Sequence, residues 1–338
     1  MRKLLLLMQR LMRHCEGIKG FVQSYSRSNP QNELTIIEGL LRAESWLRAR
    51  QSALAMTVAF IGISLFYSCT TDITVDLPDP KEQFVIEGYI EQDAAPYILL
   101  TRNAPFFGEL DLNDVDQYLV HNAVVTVTDG IATDTLEEVC FDVTSGDRTF
   151  TVCFYVAQTM KGELNKKYDL RVEVEGKVLT ASTVIPDLLA LDSLYYEPHE
   201  NPDADSLVQL VVKFNDPDTI GNYIRFFTQR NSEQMYAAFA FDDRFFNGEL
   251  LTFPIQRAED PDAEYDPDTY GYFWKGDTAI VKWTSISKAT YDFWNTLDYE
   301  TNSGGPFGSA TVIKSNVTGG LGIWGGYAAF YDTLYIPQ

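Results

Sequence analysis

Cys69 carries the most specific chemistry in this sequence. It follows Leu65-Phe66-Tyr67-Ser68 at the end of an uncharged apolar run, residues 53–67, which Arg48 and Arg50 precede. A small residue directly before a cysteine, behind a basic n-region and an apolar h-region, marks the thiol that is acylated when a bacterial lipoprotein is exported. Phe66 and Tyr67 are bulkier than the usual residues of that pattern. The run is shorter than the ~20 apolar residues of a spanning helix. A diacylglyceryl group plus an amide-linked chain anchors a protein stably, so membrane lipid is the expected partner of Cys69.

Cys140 and Cys153 can form a different bond. Two alternating runs, 139–143 and 150–154, flank Ser145-Gly146-Asp147-Arg148. With Gly146-Asp147 as a two-residue turn, Ser145 faces Arg148 and Cys140 falls opposite Cys153. The pair occupies a non-hydrogen-bonded site, where Cα atoms approach to ~4.5 Å, and a disulfide is expected. The cysteines share the polar face with Glu138, Asp142 and Thr151, while Val139, Phe141, Val143, Val152 and Phe154 are expected to be buried. Such a bridge contributes ~2–3 kcal/mol and requires an oxidising compartment, in agreement with export. The spacing excludes a CxxC metal or redox site.

The remaining reactive side chains point to no catalytic centre. After the leader only His121 and His199 occur, which leaves few ways to assemble a His-based zinc site or a Ser-His-Asp triad, and each reads as a surface or loop residue. Residues 259–268 concentrate six carboxylates, so Asp260, Asp262, Glu264 and Asp266 are weak calcium candidates. The EF-hand spacing is missing and prolines hold the segment extended, which favours a solvated acidic loop. Tyr270, Tyr272 and Trp274 are candidates for a platform holding a sugar or peptide, although aromatics at alternate positions more commonly fill a core. The glycines of 315–326 lack the Lys-Ser/Thr and βαβ context of a phosphate loop, and read as a tight turn or a bulged strand against another backbone. No cofactor is expected.

The elements that must position these residues are strands. Alternating or β-branched runs at 84–91, 97–102, 123–129, 137–143, 149–156, 168–174 and 178–184 predict an immunoglobulin-like β-sandwich in an all-β fold. Further strands are expected at 207–214, 222–229, 235–241, 279–284 and 326–336, with one helix capped by Ser287 that presents Tyr291, Trp294 and Leu297 on one face. The expected organisation is an extension at 1–46 upstream of a true translation start near Leu47, a lipoprotein signal peptide at 47–68, and an acidic tether at 69–82. A β-sandwich domain at 83–186 and a second β-rich domain with a helical insertion at 187–338 complete it.

The chain carries a formal charge of -22, and residues 70–338 alone hold 17 basic and 44 acidic side chains, a net of -27. That field repels polyanions, so nucleic acid is excluded as a main partner.

Several segments in order carry a family likeness: Phe84-Val85-Ile86-Glu87-Gly88-Tyr89-Ile90 after the acidic tether, Leu99-Leu100-Thr101-Arg102, Ala181-Ser182-Thr183-Val184-Ile185-Pro186, Asn222-Tyr223-Ile224-Arg225, the DDRFFNG of 242–248 and the glycine-rich 315–326. Over about residues 65–338 the chain resembles Bacteroidota outer-membrane lipoproteins described as a domain of unknown function and often encoded beside TonB-dependent receptors. The resemblance implies an accessory protein at the cell-surface or periplasmic face of the outer membrane, anchored through Cys69, with a TonB-dependent receptor as a partner. It supplies no catalytic residues. The expected function is non-enzymatic assistance of uptake by binding a receptor or its cargo. The rivals are a surface glycan-binding or adhesion module and a carboxylate-based hydrolase.

Overall fold

The computed structural model describes residues 82–103, 117–145, 148–260, 263–302 and 311–338. The first seven strands are β1 (Phe84–Glu91), β2 (Tyr97–Arg102), β3 (Val124–Thr128), β4 (Thr133–Ser145), β5 (Arg148–Val156), β6 (Lys167–Val174) and β7 (Lys177–Val184), each at a position that alternation predicts. Then come β8 (Ser193–Pro198), β9 (Leu207–Asn215), β10 (Tyr223–Arg230), β11 (Tyr236–Asp242), β12 (Leu250–Ile255), β13 (Phe273–Trp274), β14 (Thr278–Ile286), β15 (Val317–Thr318) and β16 (Leu321–Tyr335). Among the described residues one α-helix, α1 (Lys288–Asn302), separates β14 from β15. The fold is all-β with one helical insertion. Alternation does not reveal β8, β12, β13 or β15. Two of these are only two residues long, and β12 contains Pro254, which is tolerated because this strand lies at a sheet edge.

A single hydrogen-bonded path of twelve strands runs β11-β10-β14-β16-β1-β2-β5-β4-β3-β6-β7-β15. β4 folds it over: residues 133–136 pair with β3, and 137–145 pair with β5. The halves on either side of β4 enclose a first core that includes Ile86, Ile98, Val127, Tyr168, Leu170 and Trp324. A second sheet, in which β9 pairs with β8, β12 and β13, packs across a second core containing Phe214, Phe226 and Trp283.

β16 serves both cores. Its first part runs parallel to β1 and contributes Trp324 to the first, while its later part runs antiparallel to β14, adds Ala328 to the first core and places Phe330 and Leu334 against the second. Where regular pairing lapses, side-chain amides take its place. Gln92 accepts from the Ala329 amide at 2.6 Å and donates to its carbonyl at 2.5 Å, and Asn316 does the same at Trp324 at 2.9 and 2.8 Å. These contacts keep buried backbone groups satisfied.

The glycine-rich segment is a strand pressed against other backbones, one of the two expected alternatives. A Cβ on Gly322, at φ +113°, would lie 1.8 Å from the Ile86 carbonyl oxygen, and one on Gly326 would lie 2.4 Å from that of Val184. The predicted cap of α1 is present: Ser287 Oγ accepts from the Thr290 amide at 3.3 Å, and Tyr291, Trp294 and Leu297 are buried together with Phe293. Among the described residues no helix is long and apolar enough to cross a membrane.

Candidate functional site

Strand β1 has two dissimilar faces. Phe84, Ile86 and Ile90 enter the first core, whereas Val85, Glu87, Tyr89 and Glu91 alternate onto the opposite face. Register carries that opposite face across the sheet. Tyr89 lies beside Tyr97 of β2, Glu91 beside Tyr327 of β16, Tyr331 beside Lys282 of β14, and Lys282 beside Phe227 of β10. Arg225, two residues before Phe227, shares this side, and α1 brings Trp294 onto it. The result is a polar and aromatic strip on the sheet face turned away from both large cores.

At the floor of the strip Glu87 is 1% exposed and accepts from the Tyr89 hydroxyl at 2.5 Å. The Tyr89 ring lies 5.3 Å from Tyr97 and 5.4 Å from Tyr327, and Tyr327 Oη accepts from Trp294 Nε1 at 2.8 Å. Arg225 stacks over Trp294, with 3.8 Å from guanidinium carbon to ring centroid. On the flank, Lys282 bonds Glu91, which also accepts from the Tyr331 hydroxyl at 2.9 Å.

The electrostatics follow from this enclosure. Burial, then the Glu87 carboxylate, pushes the Tyr89 and Tyr97 phenols well above the ordinary tyrosine range. Burial does the same to Tyr327, with the Arg225 charge pulling the other way. Burial works against the Lys282 ammonium, but Glu91 beside it outweighs burial and holds its pKa above the usual lysine value. Asp298 of α1 is raised by burial and lowered in part by Arg225. The strip therefore keeps its phenols neutral and its lysine charged at neutral pH.

The residues singled out from sequence lie elsewhere. Cys69, with the extension, the signal peptide and nearly all of the tether, lies outside the described residues. Cys140 and Cys153 form the expected disulfide in the expected register, with Cα atoms 4.0 Å apart. Burial around the bridge departs from expectation: Cys153 is 4% exposed, whereas Val139 and Phe141 stand 44% and 41% exposed. The small core of Leu99, Leu119, Val143, Val152 and Phe154 covers the β5 side of the hairpin. Phe141 instead rests on Phe154, with ring centroids 5.7 Å apart.

His121 pairs with Glu138 at 2.5 Å, and His199 packs against Tyr272 with ring centroids 4.5 Å apart. The one convergence of three or more His, Cys, Asp or Glu side chains among the described residues is His121, Glu138, Cys140 and Cys153, where both sulfurs belong to the bridge. In the acidic segment, Asp260 accepts from the Tyr236 hydroxyl at 3.2 Å, Asp266 accepts from the Thr269 hydroxyl at 3.0 Å, and Glu264 is exposed. Asp262 lies outside the described residues. Each candidate platform ring has a separate neighbour: Tyr270 meets Tyr265, Tyr272 meets His199, and the Arg230 and Arg257 guanidinium groups lie over Trp274 at 4.2 and 5.1 Å.

Sequence reasoning did not single out Glu87, Arg225 or Lys282 for chemistry. The available signal was a lone charge inside an apolar run too continuous for a half-exposed strand, as in Phe84 to Ile90 and Tyr223 to Phe227.

The sequence profile of a family described as Domain of unknown function (DUF4249) matches residues 70–331. Among curated proteins none matches the chain.

Proposed function

Because this chain belongs to the DUF4249 family, we propose that it is a lipid-anchored, non-enzymatic outer-membrane protein that assists TonB-dependent uptake by binding a receptor or its cargo. The observation that carries the reading is the Cys140–Cys153 bridge, since such bonds persist in oxidising compartments outside the cytosol. The start of the family match at residue 70, directly after Cys69, also supports anchoring there, with the matched body following the acylated residue on its tether. The strip of Glu87, Tyr89, Tyr97, Tyr327, Trp294 and Arg225 supplies rings and buried charge of the kind that hold a ligand.

Metabolic labelling with an alkyne-bearing fatty acid tests the anchor. The wild-type chain takes up label and sediments with outer membranes, while Cys69→Ser is unlabelled and released; an unlabelled wild type, or a serine variant that fractionates unchanged, overturns the assignment. Pull-down in mild detergent then tests the role. A large β-barrel receptor is expected to co-purify, and its consistent absence argues for a protein that acts alone.

A further inference from the structure

A guanidinium removed from water loses its hydration, and buried arginines normally recover it through carboxylates, carbonyls or ordered water. Arg225 does not. It is 3% exposed, and its Nε and Nη1 are buried without a hydrogen-bond partner. The faces of Trp294 and Phe227 lie against it, with guanidinium carbon to centroid distances of 3.8 and 5.6 Å, and stabilise a cation without accepting a conventional hydrogen bond. Asp298 on α1 feels the Arg225 charge, yet its Oδ2 is likewise buried and unbonded. A donor and an acceptor thus lie within electrostatic reach beneath α1 without meeting.

We propose that Arg225 anchors a binding site for a ligand that carries one carboxylate on an apolar or aromatic body, seated between α1 and the β10–β14–β16 face. A carboxylate accepts along one edge of the planar guanidinium, and because Nε and Nη1 lie on different edges it provides one of the two missing acceptors. The rings of Trp294, Tyr327, Tyr89 and Tyr97 lead away from Arg225 along the strip and form an apolar wall for the rest of the molecule. A single negative charge is favoured over a phosphate dianion, because Glu87 and Asp298 border the site and the surrounding body is strongly acidic. This inference deepens the cargo-binding part of the reading above and does not depend on acylation or on a receptor.

The test uses the full-length chain in a mild nonionic detergent, with sodium benzoate as the probe. Controls are sodium chloride at equal ionic strength, benzyl alcohol and inorganic phosphate. Calorimetric titration is expected to show saturable binding of benzoate alone. Arg225→Lys should weaken it by about tenfold or more, because an ammonium lacks the fork. Arg225→Met should abolish it while melting no lower than wild type without ligand, because the unpaired charge is gone. Should the methionine variant fail to fold, the Arg225 Nε–H resonance of the wild type gives a readout that needs no variant, and it should shift on adding benzoate but not benzyl alcohol. No saturable benzoate binding, undiminished binding in the lysine variant, or phosphate binding as tightly as benzoate would each overturn the proposal. None of these outcomes bears on Cys69, so failure here is separate from failure of the anchor.

Discussion

Glu87 is almost wholly shielded from water and accepts from the Tyr89 hydroxyl at 2.5 Å. A carboxylate in that position raises the neighbouring phenols and sets the polarity of the strip. Glu87→Ala removes the acceptor and leaves the Tyr89 hydroxyl in a shielded site, which should cost about 1–3 kcal/mol. Glu87→Gln retains an acceptor oxygen and should cost less. Urea unfolding of both variants checks this, and an alanine variant as stable as wild type contradicts it. The same reasoning applies to Trp274, a residue that sequence marks as a ligand platform. With two guanidinium groups over its ring, its first role is to pack.

Among the elements, β16 determines the most. Its fifteen residues pair with β1 over one half and β14 over the other, so a single strand joins the layers of both cores. Gly322 makes the β1 junction feasible, since its φ of +113° disfavours other residues and a Cβ would overlap the Ile86 carbonyl. Gly322→Ala should therefore destabilise by roughly 3 kcal/mol or more, or prevent folding. A thermal unfolding midpoint close to that of wild type would refute this. Helix α1 works differently. It is specified locally by Ser287 and by the spacing of its apolar residues, and it brings Trp294 to the strip and Asp298 near Arg225.

For the whole molecule, the shifts in the strip share one sign. Tyr89, Tyr97, Tyr327, Tyr331 and Lys282 all hold their protons more tightly when folded, relative to ordinary values of 10.0 for tyrosine and 10.5 for lysine. A group with a raised folded pKa contributes stability that is complete below its unfolded pKa and is lost as pH climbs through the folded value. Stability should thus fall as pH rises above about 10, beginning with exposure of the phenols. Lys282→Met should make that decline shallower. Urea midpoints between about pH 8 and 11 measure the slope, and a wild-type curve that is flat across this window excludes the coupling.

Patterns that repeat along the chain were legible without coordinates. Period-two alternation marks β1 to β7, Ser287 marks the start of α1, and counting outward from Gly146-Asp147 pairs Cys140 with Cys153, because each depends on neighbours close in sequence. The buried state of Arg225, the enclosure of Glu87 and the exposure of Phe141 were decided by tertiary structure. They depend on which strand lies beside which: β16 returns from the far end of the chain to pair with β1, and only that juxtaposition places Tyr327 and Trp294 among residues more than a hundred positions upstream. Local propensity determines which segments extend and which coil, but the surroundings of a side chain depend on long-range pairing that no window of sequence contains.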